Sequence, residues 1–245
     1  MIDTEKPFKN ILALVRFGFI SSFVLFGAGF ASETLAAGLI APEAIEQQVK
    51  ECAALHFNAV NCARGIERKI IGRKNYSVTR VKDTLRIQLA KRMVKLIDAT
   101  TKTGDKLITY SYLGFDKNLD IHIIHVQRDE GDGYMVIHHY SGQRALPSGY
   151  PIASPDGKNF LSIAEDLTTG NTPNNIEIWR VTSGRFSKDA NFEPEWGPHV
   201  GHWLNASRVQ IAKRCYAPTE KNNAELRPCG NAMVEYSDAR WKLVE

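Results

Sequence analysis

Histidines are the residues of this chain best suited to chemistry, and there are seven of them. His122 and His125 sit in the alternating stretch "DIHIIHVQ". Their spacing of three sends them to opposite faces of a strand. His138 and His139 also point opposite ways. Asp120 and His122, set beside His138 or His139 on a paired strand, would offer two imidazoles and a carboxylate, a set that suits zinc or iron. His199 and His202, in "GPHVGHW", are close enough in a loop to share an ion. His122, His139, His199 and His202 are therefore the metal-ligand candidates for a metal-dependent hydrolase. Against that stands the absence of H-E-x-x-H or any comparable spacing. The expectation is no metal and no cofactor, with these rings on surfaces or half buried.

Nucleophile chemistry has less to work with. There is no G-x-S-x-G, and Thr182-Ser183-Gly184 reads as a turn. Glu165 with Asp166, and Glu193 with Glu195, are acids in polar segments, where solvated carboxylates are the rule. No glycine loop suited to phosphate is present. No catalytic residue is assigned.

The four cysteines, Cys52, Cys62, Cys215 and Cys229, are an even set, as expected of disulfides in an oxidising compartment. The pairs Cys52–Cys62 and Cys215–Cys229 each close a short loop. Neither pair has zinc-site spacing. Residues ten apart on a continuous helix are about 15 Å apart, beyond the roughly 7 Å a disulfide allows. A helix carrying the first pair must break, and Asn58 and Asn61 are the candidate breakers. The second pair is expected to span the base of a polar loop between two strands.

The elements that hold these residues follow from apolar rhythm. Lys6, Lys9 and Arg16 precede the apolar run "FGFISSFVLFGAGFA", the pattern of a secretory signal peptide over residues 1–31. The run is shorter than the about 20 residues of a spanning helix. Residues 32–75 form an N-terminal helical segment, with a helix over 43–57 on the stripe Ile45, Val49, Cys52 and His56. The basic stretches 64–74 and 90–95 read as solvated faces or strand edges. From about Tyr76 the period becomes two, and ten or eleven short strands separated by turn signals fill 76–245. The fold expected is mainly β: an antiparallel two-sheet sandwich or partly open barrel, plus the N-terminal α-helix. Propellers close with about four to eight blades of four strands each, and that number of strands would not complete three.

"GYPIASPDGKNFLSIAEDLTTGNTPNNIEIWRV" followed by "EPEWGPHVGHWLNASRVQIAK" carries Ser154, Pro155, Asp156, Gly157, Trp179, Trp196, Gly197, Pro198 and Trp203. Across about residues 106 to 214 this resembles small exported bacterial proteins of unknown function that carry one propeller-blade-like unit. The resemblance implies blade-like hairpins and transfers no catalytic residue. Trp179, inside a strand, reads as core; Trp196 and Trp203 lie near loops.

The net charge of +4 is too weak and dispersed for nucleic acid. The expectation is a periplasmic or secreted, non-enzymatic binding or envelope-interaction protein, off the membrane once the signal is cleaved. Its ligand would be an envelope protein or a cell-wall glycan, and inhibition of another secreted enzyme is one version. The loop from Asp166 to Asn175 and the segment "EPEWGPHVGHW" form the expected surface, with Asn174, Glu195, Trp196, His199 and Trp203 as binding residues.

Overall fold

Period-two alternation dominates the molecule. The computed structural model describes residues 59–71, 78–99, 107–128, 131–170, 172–218 and 224–245. Among them lie one helix, α1 (Ala59–Ile71), and fifteen strands in four sheets. The first sheet holds β1 (Val78–Val81), β2 (Thr84–Gln88) and β3 (Met93–Ile97). The second holds β4 (Ile108–Asp116), β5 (Ile121–Arg128), β6 (Gly131–His138) and β7 (Arg144–Ala145). The third holds β8 (Ile152–Ala153), β9 (Asn159–Ala164), β10 (Asn175–Thr182) and β11 (Arg185–Phe192). The fourth holds β12 (Gly197–Asn205), β13 (Arg208–Pro218), β14 (Ala224–Ser237) and β15 (Arg240–Val244). Strand order within each sheet is chain order, and pairing is antiparallel, so each sheet is a meander.

The mainly β, antiparallel expectation holds, but the described residues form four sheets rather than two and fifteen strands rather than ten or eleven. "YSVTRVKDTLRIQLA" contains a hairpin: Lys82 takes a positive φ of 51° and Val81 pairs with Thr84 across the turn. β7 and β8 are two residues long. β11, "RFSKDANF", carries little apolar signal because all of it is exposed or half buried. Strand number alone therefore does not exclude a ring of blades.

The third sheet is apolar on both sides because both are covered. Phe160 belongs to a core cluster with α1 and the first two sheets, and Trp179 and Val181 pack against it. Leu161, Ile176 and Ile178 point the other way, into a second cluster with Val209, Ile211, Val234 and Trp241 of the fourth sheet. Phe160 and Trp179 stack with ring planes 9° apart, as the reading of Trp179 as core requires. The Ser154–Gly157 turn joins β8 to β9. Ser154 Oγ donates to Asp156 Oδ1 at 2.7 Å, and Gly157, at φ 65°, donates its N–H to the Ser154 carbonyl at 3.0 Å.

α1 occupies sequence read above as solvated face or strand edge. Ala63, Ile66, Glu67 and Ile70 are buried, the i, i+3, i+4, i+7 stripe of a docked helix. Arg68 and Lys69 are exposed. Arg64 turns inward: with Arg80 of β1 it pairs to Asp98, and Arg80 also pairs to Glu67. Glu67 Oε2 accepts the Tyr112 N–H and Asp98 Oδ1 the Tyr110 N–H, so these carboxylates pin α1 and the first sheet to β4. Asn61 lies within the helix rather than breaking it. The helix expected over 43–57 lies outside the described residues.

Cys215 and Cys229 are bonded, with Cα atoms 5.8 Å apart. Cys62 is disulfide-bonded as well; its expected partner, Cys52, lies outside the described residues. The 215–229 bridge does not stand at the base of a loop. β13 and β14 continue past it to the pair Pro218 and Ala224, so it staples the interior of a long ladder. No helix among the described residues is long and apolar enough to cross a membrane.

Candidate functional site

The expected binding segments meet at one end of the third and fourth sheets. Asn174 joins them. Its Nδ2 donates to the carbonyls of Pro194 (2.8 Å) and Trp196 (3.0 Å), and its Oδ1 accepts the Asp166 N–H at 3.2 Å. Asp166 in turn organises its own loop. Its carboxylate accepts the N–H groups of Thr168 (3.1 Å), Thr169 (2.7 Å) and Thr172 (3.0 Å) and the Thr169 hydroxyl at 2.6 Å. Burial pushes this carboxyl up, but the bonds from Thr169, Thr172 and Thr168 outweigh it and hold it well below the usual carboxylate range. Tyr216 O–H donates to the Leu167 carbonyl at 2.8 Å, tying the loop to β13.

Beside this rim, His199 Nδ1 lies 2.7 Å from Glu165 Oε2, and Arg214 Nη1 lies 3.5 Å from Glu165 Oε1. A carboxylate on one ring nitrogen fixes the imidazole's orientation. Glu195 and His202 are exposed. The two tryptophans sit deeper. Trp196 is buried, its indole N–H bonded to Glu245, with the Lys213 ammonium 5.1 Å from the ring centroid. Trp203 is half buried; its N–H meets the Ile152 carbonyl at 2.9 Å, and its ring meets Trp241 edge-on at 5.8 Å. Trp203 thus ties the fourth sheet to β8 of the third, whereas the Trp196 indole meets Glu245 and Lys213 on the fourth sheet's own side.

The histidine candidates fall in two places. His199 and His202 lie on β12, whereas His122 and His139 lie in and just after the strands of the second sheet. Tyr112 O–H and His122 Nδ1 are 3.0 Å apart, and His122 Nε2 and His139 Nδ1 are 3.1 Å apart. Phe115 lies against both imidazoles, with centroids at 4.9 and 5.6 Å. His122 is buried, and burial first, then the neighbouring His139, lowers its pKa to about 4. Its two nitrogens are thus occupied by Tyr112 and His139, a hydrogen-bonded relay. Asp120 does not join them: its Oδ2 lies 3.9 Å from His138 Nε2. His125 is on the opposite face of β5, 2.7 Å from Asp132. Among the described residues no three His, Cys, Asp or Glu side chains converge as a metal site would require.

A feature that sequence reasoning missed lies at the other end of the same two sheets. A cleft of about 400 Å³ is lined by Lys158, Asn159, Arg180 and Thr182 from the third sheet and by Ala206, Tyr236 and Trp241 from the fourth. Two cross-strand pairs build it, Asn159 with Arg180 and Tyr236 with Trp241. These residues are scattered over the chain, and only strand register brings them together. No acidic residue lines the cleft. Arg180 gives one guanidinium nitrogen to Asp189.

No protein-family model matches this chain, and no curated protein matches it.

Proposed function

We propose that this chain is an exported, non-enzymatic binding protein that engages an envelope protein or glycan through the rim at the Asn174 end of the third and fourth sheets. Export rests on the basic-then-apolar N-terminal stretch and on the bonded cysteines, which persist outside reducing compartments. The observation that carries the binding reading is the Asn174 staple. One side chain joins two polar segments from different sheets, and Asp166 caps the first of them internally. A rim already ordered loses less conformational entropy on binding than a loose one. The groups it offers are the exposed Thr168, Thr169 and Glu195 and the half-buried, oriented His199. Function tends to collect on such loops over a rigid scaffold. The chain's four successive meanders act as blade-like units packed face to face in sandwich fashion.

The test is capture from an envelope extract with wild-type protein and with a Thr169→Lys, Glu195→Lys double variant, both checked by thermal melting. A partner retained by the wild type and lost by the variant, at equal melting temperature, supports the reading. Identical capture by both proteins removes the rim from consideration. A metal-dependent hydrolase has less to rest on, because His122 and His139 use their facing nitrogens on each other.

A further inference from the structure

We propose that the cleft at the opposite end of these sheets is a second binding site, one that takes an acidic saccharide. It is separate from the rim. β9 runs from Asn159 at the cleft to Ala164 beside the rim, about 17 Å at 3.3 Å per residue.

The first reason is charge. Lys158 and Arg180 face the cleft without a lining acid. Lys158 has no ion-pair partner among the described residues, although it helps to lower the pKa of nearby Asp156. Asp189 accounts for one nitrogen of Arg180, and a guanidinium carries five N–H donors. A carboxylate between the two cations would make charge-assisted hydrogen bonds.

The second reason is an unmet donor. Of the four indole N–H groups, those of Trp179, Trp196 and Trp203 donate to Glu177, Glu245 and the Ile152 carbonyl. The fourth, on Trp241, is buried and has no acceptor among the described residues. Buried donors normally have partners. Trp241 lines the cleft, so a small tilt of its ring on ligand binding would bring this N–H to an acceptor of an acceptor-rich ligand.

The third reason is the mixed lining. Asn159 and Thr182 both donate and accept, which suits hydroxyl groups. Tyr236 is 41% exposed, and its ring lies 5.2 Å from that of Trp241 at 60°. Tyr236, backed by the buried Trp241 ring, offers an apolar wall to one face of a sugar ring. The cleft volume lies in the range of small-molecule sites.

The experiment follows the Trp241 indole resonance of the purified protein by NMR, assigned with Trp241→Phe, and measures affinity by calorimetry. The probes are a galacturonate trimer, the neutral galactose trimer and inorganic phosphate. The expected result is that the acidic trimer shifts the Trp241 resonance and binds more weakly as salt rises. Lys158→Gln should weaken it about tenfold, the worth of one charged contact. Lys91→Gln, an exposed charge removed in the first sheet, should leave binding unchanged. Neutral trimer bound as tightly would overturn the acidic part of the claim. Phosphate acting as strongly as the trimer would overturn the saccharide part. An unmoved Trp241 resonance with all three probes would overturn the site. Because Lys158 is an exposed residue beside a turn, its variant tests charge without disturbing the core.

Discussion

Removing His122 should change how this protein responds to acid. The imidazole is 5% exposed and wedged between Tyr112 and His139, and its pKa falls from an ordinary 6.5 to about 4 in the folded chain. The depression has a definite sign in stability. Between these two values the unfolded chain holds a proton on this ring that the folded chain lacks. The neutral ring's contribution is therefore fully present above about pH 6.5 and is lost as pH falls toward 4. The interval corresponds to about 3 kcal/mol in total, and to roughly 2 kcal/mol between pH 7 and pH 5. His122→Gln retains a polar group able to bond Tyr112 and His139 but cannot take up the proton. Urea unfolding of both proteins at pH 7, 6 and 5 isolates the contribution of this ring by difference. The wild type should lose roughly 2 kcal/mol more than the variant between pH 7 and pH 5. Equal losses in the two proteins would mean that His122 is protonated without cost in the native state, and the burial argument would fail.

Three other perturbations probe the scaffold and the rim. Gly201→Ala would set a Cβ 2.4 Å from Ile163 Cδ1 and 2.6 Å from Leu161 Cδ2, where the fourth sheet packs on the third. Such overpacking costs about 1–3 kcal/mol, so the melting temperature should drop by roughly 5 °C, and an unchanged value would contradict the close approach. Replacing Cys215 and Cys229 together by Ser should cost about 3 kcal/mol for a separation of 14 residues, by the chain-entropy argument; peptide mapping of native wild-type protein should find no reactive thiol at Cys215 or Cys229, and free thiol at either would refute the pairing. Asn174→Ala leaves the Pro194 and Trp196 carbonyls and the Asp166 N–H without their partner. Hydrogen exchange at Asp166 should accelerate by about tenfold or more, and unchanged protection would show that the staple does not hold the rim.

Strands with strong alternation were legible in the sequence, and those without it were not. "NIEIWRV" announced a strand because Ile176 and Ile178 sit on one face with Trp179 and Val181 on the other, and both faces are covered. β11 escaped because a sheet edge needs little apolar surface. β12 was read as a loop because Gly197, Pro198 and Gly201 are turn formers by type. In the fold, Gly201 is buried against Leu161 and Ile163, where a side chain fits only if their methyl tips move aside. α1 falls within the 32–75 segment expected to be helical, but its inward-facing role was hidden by its charges: Arg64 and Glu67 look solvated in sequence, yet both belong to the ion-paired cluster with Arg80 and Asp98. The rim could be named from composition, since Asp, Asn, Thr and Gly crowd residues 166 to 175. The cleft could not, because Lys158, Arg180 and Trp241 become neighbours only through pairing register.

The meander order of all four sheets bears on how the chain acquires its shape. Each strand pairs with the strand just before or just after it in the sequence. Ladders of this kind close over short stretches, so little entropy is lost in bringing distant parts together first. A polypeptide emerging end-first from a narrow conduit could zip up one sheet at a time, each new ribbon settling on its predecessor. Only the final embrace of the third sheet by the fourth would wait for the last strand to arrive.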